Sequence, residues 1–198
     1  MIEQLLLNAL LAGSIYILIA VSFSLIYQTT RFFHFAHAVV FTFGAYFTYL
    51  FYKLLGLPLV IAIPIAVGLS SLLGCGMEIG IYRNLRKKNA SPMVLLLASL
   101  GLYIVLQNLI SMMFGDDTKS IRSGVVKEGL DVLGARITPI QIVIMITSIF
   151  LVIVVAVWLK KSKMGKAMRA VADDAELALI SGIDSDRVIL WTFGIGQH

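Results

Sequence analysis

Two histidines stand close together in the segment Arg31-Phe-Phe-His-Phe-Ala-His37, which lies between two apolar runs. His34 and His37 are three residues apart, so on a helix they share one face and could begin a zinc site. No third ligand of a suitable type lies nearby in the sequence, and we predict no metal. If the flanking runs are membrane helices, ionisable groups here line a break in the second helix or flank its start at the interface.

The sequence contains no recognised catalytic motif. It has no G-x-S-x-G, no H-E-x-x-H and no G-x-x-x-x-G-K-[ST]. Glu78 lies five residues before Arg83, and we interpret it as a carboxylate at a helix end that pairs with a basic neighbour. We therefore predict no catalytic residue and no cofactor held by this chain, and any ATP would be used by partner subunits.

The composition is that of a membrane protein. Of 198 residues, 59% are hydrophobic and 14% are charged, and the mean hydropathy is +0.94, which excludes a soluble enzyme and a disordered chain. A single cysteine excludes a disulfide scaffold. Since a span needs about 20 apolar residues, we predict an all-α polytopic membrane protein. It would have about five full transmembrane helices and the start of a sixth, over the apolar runs 5–27, 36–55, 58–80, 92–114, 139–159 and from 188 onward.

Basic residues cluster in two of the predicted loops, 81–91 and 160–187, whereas the 115–138 loop balances acids against bases. By the positive-inside rule the two basic loops face the cytoplasm and the balanced loop faces outward. The N-terminus then lies outside, provided that the first two runs both cross the membrane. This bias accounts for the net charge of +5 without a nucleic-acid partner. The first residues lack the features of a cleavable signal peptide.

The loop over 160–187 has the pattern of an amphipathic helix. Residues 166–181 are strong helix formers, Gly182 favours a left-handed end, and Asp184 or Ser185 could cap the next helix. A predicted apolar stripe comprises Met168, Val171, Ala175, Leu179 and Gly182. The opposite face carries acidic residues that would meet anionic lipid unfavourably. The pattern therefore favours docking into a groove on another protein, with a helix lying on lipid as the alternative.

Four stretches of the chain resemble one known family, the inner-membrane permease subunits of branched-chain amino acid ABC importers. The likeness covers essentially the whole chain, and its last stretch is the most specific. The stretches are Asn8-Ala-Leu-Leu-Ala-Gly-Ser-Ile-Tyr16, Phe35-Ala-His37 with Gly44-Ala-Tyr46, Glu78-Ile-Gly-Ile-Tyr82-Arg83, and Ser162 through Thr192-Phe193.

The resemblance implies an ABC importer permease fold, with residues 1–198 forming a single transmembrane permease domain and about 160–187 a cytoplasmic coupling segment. In this family the segment contains an E-A-A-x-x-x-G-like helix seated on the ATPase, matched here by Glu176 through Gly182 with Leu177 for the first Ala. The residues implied in ATPase coupling are Gly165, Arg169, Ala170, Asp174, Glu176, Ala178, Gly182 and Ile183. The implied candidates for the translocation pathway are His34, Phe35, Ala36 and His37.

The resemblance also implies partners and a location. The partners are two cytoplasmic ABC ATPase subunits, a second homologous permease, a periplasmic substrate-binding protein and membrane lipid. The location is the bacterial inner (plasma) membrane, as a multi-pass protein that moves branched-chain amino acids by alternating access.

Two departures from the family pattern keep alternatives open. His34 and Ala38 stand where the family usually has Asn and Gly, so a permease for urea or amides is an alternative. The last apolar run is also too short to cross a membrane. The sequence therefore leads us to expect a chain incomplete at the C-terminus, for which a truncated, non-transporting membrane interaction protein is the other alternative.

Overall fold

A computed structural model describes residues 2–115, 117, 119, 121, 130–132 and 135–196. The chain divides into two compact units, Met1–Ser22 with Ser123–Lys166 and Phe23–Arg122 with Ala167–His198. The helices are α1 (Ile2–Thr30), α2 (Ala36–Tyr49), α3 (Leu59–Met77), α4 (Arg83–Lys87), α5 (Pro92–Phe114), α6 (Pro139–Lys161), α7 (Lys163–Asp173), α8 (Ala175–Ile180) and α9 (Ser185–Gly196). Two π-helical turns, Leu50–Leu54 and Glu78–Tyr82, extend α2 and join α3 to α4.

The prediction of an all-α polytopic membrane protein is confirmed. Within the described residues, four helices are long and apolar enough to cross a membrane: Ile2–Thr30, Leu59–Lys87, Pro92–Phe114 and Pro139–Lys161. The ends of these four helices lie close to the ends of the apolar runs read from the sequence. The exception is the helix that begins at Leu59, which the second π turn and α4 extend to Lys87. The predicted fifth full span, α2 with its π turn, is not among these four and stays a prediction.

The first unit contains a short hairpin that the sequence did not predict. Its strands, β1 (Leu130–Val132) and β2 (Ala135–Ile137), pair antiparallel in the 115–138 loop, where the charge-balancing Asp116, Arg122, Lys127 and Glu128 lie outside the described residues. The Gln4 side chain bonds both backbone groups of Arg136, accepting from its N–H at 2.8 Å and donating to its carbonyl at 3.1 Å. The start of α1 and this loop therefore lie on one side, which fits the predicted orientation.

The second unit is built around an apolar core to which the end of α1, the α1–α2 connection, the π turn Glu78–Tyr82 and helices α2, α3, α5 and α9 all contribute. Polar contacts also join α9 to α3, since the Ser71 hydroxyl donates to the Gly194 carbonyl at 2.9 Å. Hydroxyl-to-carbonyl bonds between helices are a common way to hold membrane helices together, because lipid offers no hydrogen-bond partner. The core consists of Ile26, Phe32, Ala36, Val39, Val40, Phe43, Met77, Tyr82, Leu95, Ile110, Ile189 and Phe193.

The predicted single helix over 166–181 is wrong, because the structure divides it into α7 and α8 at Asp174. Asp174 has an extended backbone (φ −153°, ψ 108°), and its carboxylate accepts hydrogen bonds from the N–H groups of Glu176 and Leu177 at 2.9 and 3.0 Å. A short acidic side chain that satisfies these free donors favours a new helix start over continuation of the old one.

The break also changes which residues are buried. Met168 and Val171 on α7 are buried as predicted, but Ala175, Leu179 and Gly182 are exposed, and Ala178 is buried instead. The predicted stripe requires one continuous helix. Because residue 174 is extended, the side chains of α8 do not face the direction that a continuation of α7 would give them. The predicted five-residue stripe therefore holds only on α7.

The predicted helix stop at Gly182 and the predicted cap of the next helix, at Asp184 or Ser185, are confirmed, with Asp184 as the cap. Gly182 adopts a left-handed conformation (φ +83°) and its N–H bonds the Leu179 carbonyl, while the Ile183 N–H bonds the Ala178 carbonyl at 2.9 Å. This pair of bonds is the Schellman motif, which ends a helix by satisfying its last carbonyls. The Asp184 carboxylate then accepts from the Arg187 N–H at 3.2 Å and caps α9.

The turn between α6 and α7 requires a glycine at position 165. A Cβ added to Gly165 would lie 2.1 Å from the Leu159 carbonyl oxygen and 2.6 Å from the Leu159 Cα. These are backbone atoms at the end of α6, so they cannot rotate away as a side chain could. Ser162 completes the turn, since its hydroxyl accepts from the Gly165 N–H at 2.9 Å.

We expect Gly165→Ala to destabilise this turn, because the added methyl must push the end of α6 away from α7. Overpacking of this kind costs about 1–3 kcal/mol, measured as a lower midpoint of thermal unfolding of the detergent-purified protein. Gly101→Ala is the matched control, since a Cβ at Gly101 on α5 meets no atom of the described residues within 4 Å. Equal midpoints for the two variants would contradict the prediction.

Candidate functional site

The connection between α1 and α2 turns sharply at Arg31. Arg31 has a left-handed backbone (φ 58°), an uncommon conformation for a residue other than glycine. Its guanidinium donates to the Ala172 carbonyl in the last turn of α7. The residues after the turn begin α2, where the His37 N–H bonds the His34 carbonyl at 3.2 Å. The α1–α2 connection is thus attached to the predicted cytoplasmic segment.

Three of the four predicted pathway residues face the protein interior. The side chains of His34, Ala36 and His37 are buried, whereas Phe35 is 47% exposed. The two imidazole ring centres lie 6.3 Å apart. The described part of the chain contains no group of three or more His, Cys, Asp or Glu side chains arranged to hold a metal ion.

Ser99 on α5 holds the start of α2. Its fully buried hydroxyl accepts from the Ala36 N–H at 3.0 Å and lies 3.4 Å from the Nδ1 of His34. The N-cap residue of α2, Phe35, provides no capping side chain. Because the first N–H groups of a helix have no partner within it, a serine from another helix supplies the missing cap.

Aromatic rings enclose the His34 imidazole. It meets the rings of Tyr82 and Phe193 edge-on, with ring centres 5.2 and 5.0 Å away, and Phe32 stands 6.1 Å away. Tyr82 and Phe193 also pack on each other at 5.7 Å. Edge-to-face contacts of this kind fix ring orientation as well as burying area. The cluster joins the α1–α2 connection to α9 and to the π turn that contains Tyr82.

A network of four charged side chains lies next to this cluster. Glu78 is only 1% exposed and accepts two hydrogen bonds from Arg86, one of them at 3.0 Å. Arg86 also reaches Asp186 at 3.4 Å, and Arg83 bonds Asp186 at 3.0 Å. The expectation that Glu78 pairs with a basic neighbour is therefore confirmed, and the neighbour is Arg86. Arg83 instead pairs with the first turn of α9.

The two arginines keep Asp186 ionised. Partial burial alone would raise the pKa of its carboxyl, but hydrogen bonds and charge from Arg83 and Arg86 outweigh this and hold the pKa below its ordinary value of 3.8. A carboxyl whose folded pKa is lowered stabilises the fold above its unfolded pKa and loses that effect as pH falls through the folded value. These ion pairs therefore persist throughout the neutral range.

The residues implied in coupling lie along α7, α8 and the turns beside them. The side chain of Ala178 and the backbone of Gly165 are buried, Ala170 and Ile183 are partly buried, and Arg169, Asp174, Glu176 and Gly182 are exposed. Next to them, α8 presents three large apolar side chains to solvent: Leu177, Leu179 and Ile180, which are 61–79% exposed. Apolar side chains grouped on one short helix mark a surface that another protein can cover.

Sequence reasoning missed Ser99, Arg86 and Asp186 as members of this site. Ser99 lies in an apolar run and contributes through a contact 63 residues away in the sequence, which no local pattern reveals. Asp186 offered one signal, an acidic residue in the first turn of a helix, and that position is explained by the helix dipole alone.

We expect Ser99→Ala to loosen the start of α2, because it leaves the buried Ala36 N–H without its acceptor. An unsatisfied buried donor costs about 1–3 kcal/mol, so hydrogen exchange of the 31–40 segment should become roughly tenfold faster or more. Thr42→Ala is the control, since the Thr42 hydroxyl lies exposed on α2 and, among the described residues, bonds only the Ala38 carbonyl of the same helix. Unchanged exchange at 31–40 in Ser99→Ala would contradict the assigned cap.

The chain is similar to known transport proteins along its whole length. Residues 5–196 match the family described as branched-chain amino acid transport system / permease component. The high-affinity branched-chain amino acid transport system permease protein LivH of Escherichia coli (strain K12) is 32% identical over 98% of this chain. The permease protein BraD of Pseudomonas aeruginosa is 28% identical over 98%, and the probable permease protein LivH of Methanocaldococcus jannaschii 26% over 96%.

The chain spans 66% of the length of the E. coli and P. aeruginosa relatives and 61% of the M. jannaschii relative. No solved structure matches it. The family match and the four candidate spans place the chain in the inner membrane as a multi-pass protein. This chain belongs to the family of permease components of branched-chain amino acid transport systems.

Proposed function

We propose that the chain is a permease subunit of an ATP-driven importer for branched-chain amino acids. The observation that carries the proposal is the family match over 5–196, supported by relatives whose names state this transport. The partners in the proposal are two cytoplasmic ATPases, a second homologous permease and a periplasmic binding protein. ATP is hydrolysed by the ATPases, so the chain itself is not an enzyme.

The exposed face of α8 is the proposed ATPase contact. Leu177, Leu179 and Ile180 are apolar and exposed, and they follow directly after the Asp174 cap that fixes the start of the helix. A short helix with apolar anchors suits a groove on a partner. The coupling role of the segment 160–187, with Gly165, Arg169, Ala170, Asp174, Glu176, Ala178, Gly182 and Ile183, forms part of this proposal.

The proposed pathway lining is the segment His34, Phe35, Ala36 and His37. It interrupts the helical path between α1 and α2. Ser99 holds its backbone at Ala36, and Arg31, just before it, bonds the Ala172 carbonyl of α7. Interrupted helices are favourable places for polar sites at membrane depth, because they free backbone groups to meet a substrate. Alternating access would move this segment as the ATPases close on α8.

Purification of the tagged chain from its native membranes tests the proposal directly. We expect two ATPases and a second permease in the intact complex, and uptake of labelled leucine, isoleucine or valine by that complex in proteoliposomes with the binding protein and ATP. Uptake of urea or an amide instead would support the alternative substrate. A complex without ATPases would contradict the proposal and favour a non-transporting interaction protein.

We expect Ile180→Glu to release the ATPases, because a carboxylate replaces an apolar anchor that is 79% exposed in the chain and buried in the proposed contact. Co-purified ATPase should fall by about tenfold or more, while the amount of membrane-inserted protein stays unchanged. Lys88→Glu is the control, since it places the same carboxylate at an exposed position in the other basic loop. Equal ATPase recovery from both variants would contradict the role of α8.

A further inference from the structure

We propose that Asp186 is a positioning residue that passes movement of α8 to the π turn and, through it, to the His34 segment. The inference rests on the proposed function and assigns a role to a residue that is not among the coupling residues implied by the family likeness. It follows from three features of the second unit: a stiff corner between α8 and α9, an ion pair that reaches α4, and a buried carboxylate that holds α4 in place.

The corner between α8 and α9 is stiff because hydrogen bonds close it at every step. The Schellman bonds end α8, the Asp184 carboxylate caps α9, and the Ser185 hydroxyl donates back to the Ala175 carbonyl at 3.3 Å. Ser185 thus ties the start of α9 to the start of α8. A displacement of α8 is therefore passed on to Asp186, the residue after Ser185, with little deformation of the corner.

Asp186 connects this corner to α4. Its two carboxylate oxygens bond different arginines, Oδ2 to Arg83 at 3.0 Å and Oδ1 to Arg86 at 3.4 Å. Both arginines lie on α4, one helical turn apart, so the carboxylate holds the helix at two points. Two points of attachment resist rotation as well as separation of α9 from α4.

Arg86 cannot move with Asp186 independently of Glu78, because Glu78 also bonds its guanidinium. Glu78 is 1% exposed and both of its oxygens bond Arg86. Pulling the guanidinium away would leave a buried carboxylate without a partner, which is strongly unfavourable. Displacement of Asp186 therefore moves Arg86 and Glu78 together, and with them the π turn that begins at Glu78.

The π turn contacts the proposed pathway directly. Tyr82, at the end of that turn, meets the His34 ring edge-on at 5.2 Å and packs at a tilt on Phe193 of α9 at 5.7 Å. The route from α8 to His34 therefore consists of adjoining contacts throughout. Coupling between distant sites needs such a mechanically continuous set of groups, and its demonstration needs a functional measurement.

Asp186→Asn in the complete transporter tests the inference, since it keeps the side-chain shape and removes the charge. In proteoliposomes we measure ATP hydrolysed per leucine transported, the ATPase recovered with the complex, and the thermal midpoint. We expect uptake to fall about tenfold, within the range typical of coupling between two sites. ATP hydrolysis and ATPase recovery should stay near their wild-type values, so the ratio of ATP to leucine rises by the same factor.

Two further variants serve as controls. Asp117→Asn makes the same change at an exposed carboxylate in the 115–138 loop, outside the proposed route, and should leave the ratio unchanged. Asp186→Glu keeps the charge and should restore most of the coupling.

An unchanged ratio in Asp186→Asn would overturn the inference. A parallel loss of uptake, ATP hydrolysis and ATPase recovery would also overturn it, because Asp186 would then support the fold alone. Failure of the proposed function is distinguished earlier in the same experiment, since the wild-type complex would then show no ATP-driven uptake at all.

Discussion

The buried carboxylate of Glu78 is the constraint around which the second unit is organised. A carboxylate with 1% exposure in a membrane helix requires a hydrogen-bonded cation, and Arg86 provides it across a π turn that changes the helical path. This fixes α4 relative to the end of α3. Once α4 is fixed, Arg83 and Arg86 present donors to α9, and Asp186 attaches the first turn of that helix to α4.

Helix ends and interruptions, more than the apolar spans, give this chain its specific features. The spans need only length and hydrophobicity, and lipid accepts many sequences of that kind. The ends require particular residues: Ser99 for the buried N–H of Ala36, Asp174 for the start of α8, and Gly182 for its end. In each case an unpaired backbone group is satisfied by a side chain or a left-handed residue.

The sequence predicted what depends on local pattern. Apolar runs marked the spans, and Gly182 and Asp184 marked the helix boundary that the structure shows. The break at Asp174 was missed because helix propensity across 166–181 is high, and only a competing cap reveals it. The contacts of Ser99 and Asp186 join residues about 60–100 positions apart, and one sequence holds no information on such pairs. The pathway and coupling residues stay proposals.

The π turn at Glu78–Tyr82 has a consequence for how this region can change in evolution. Its bond from the Arg83 N–H to the Glu78 carbonyl encloses one residue more than an α-helical bond does. Removal of one residue there would restore the α-helical pitch and leave Arg83 and Arg86 on nearly the same face relative to α3, because the wide turn takes up the extra residue. The same removal inside the regular part of α3 would rotate both arginines by about 100° relative to the residues before it. The π turn is therefore the place in this region where the chain can change in length by one residue without reorienting α4.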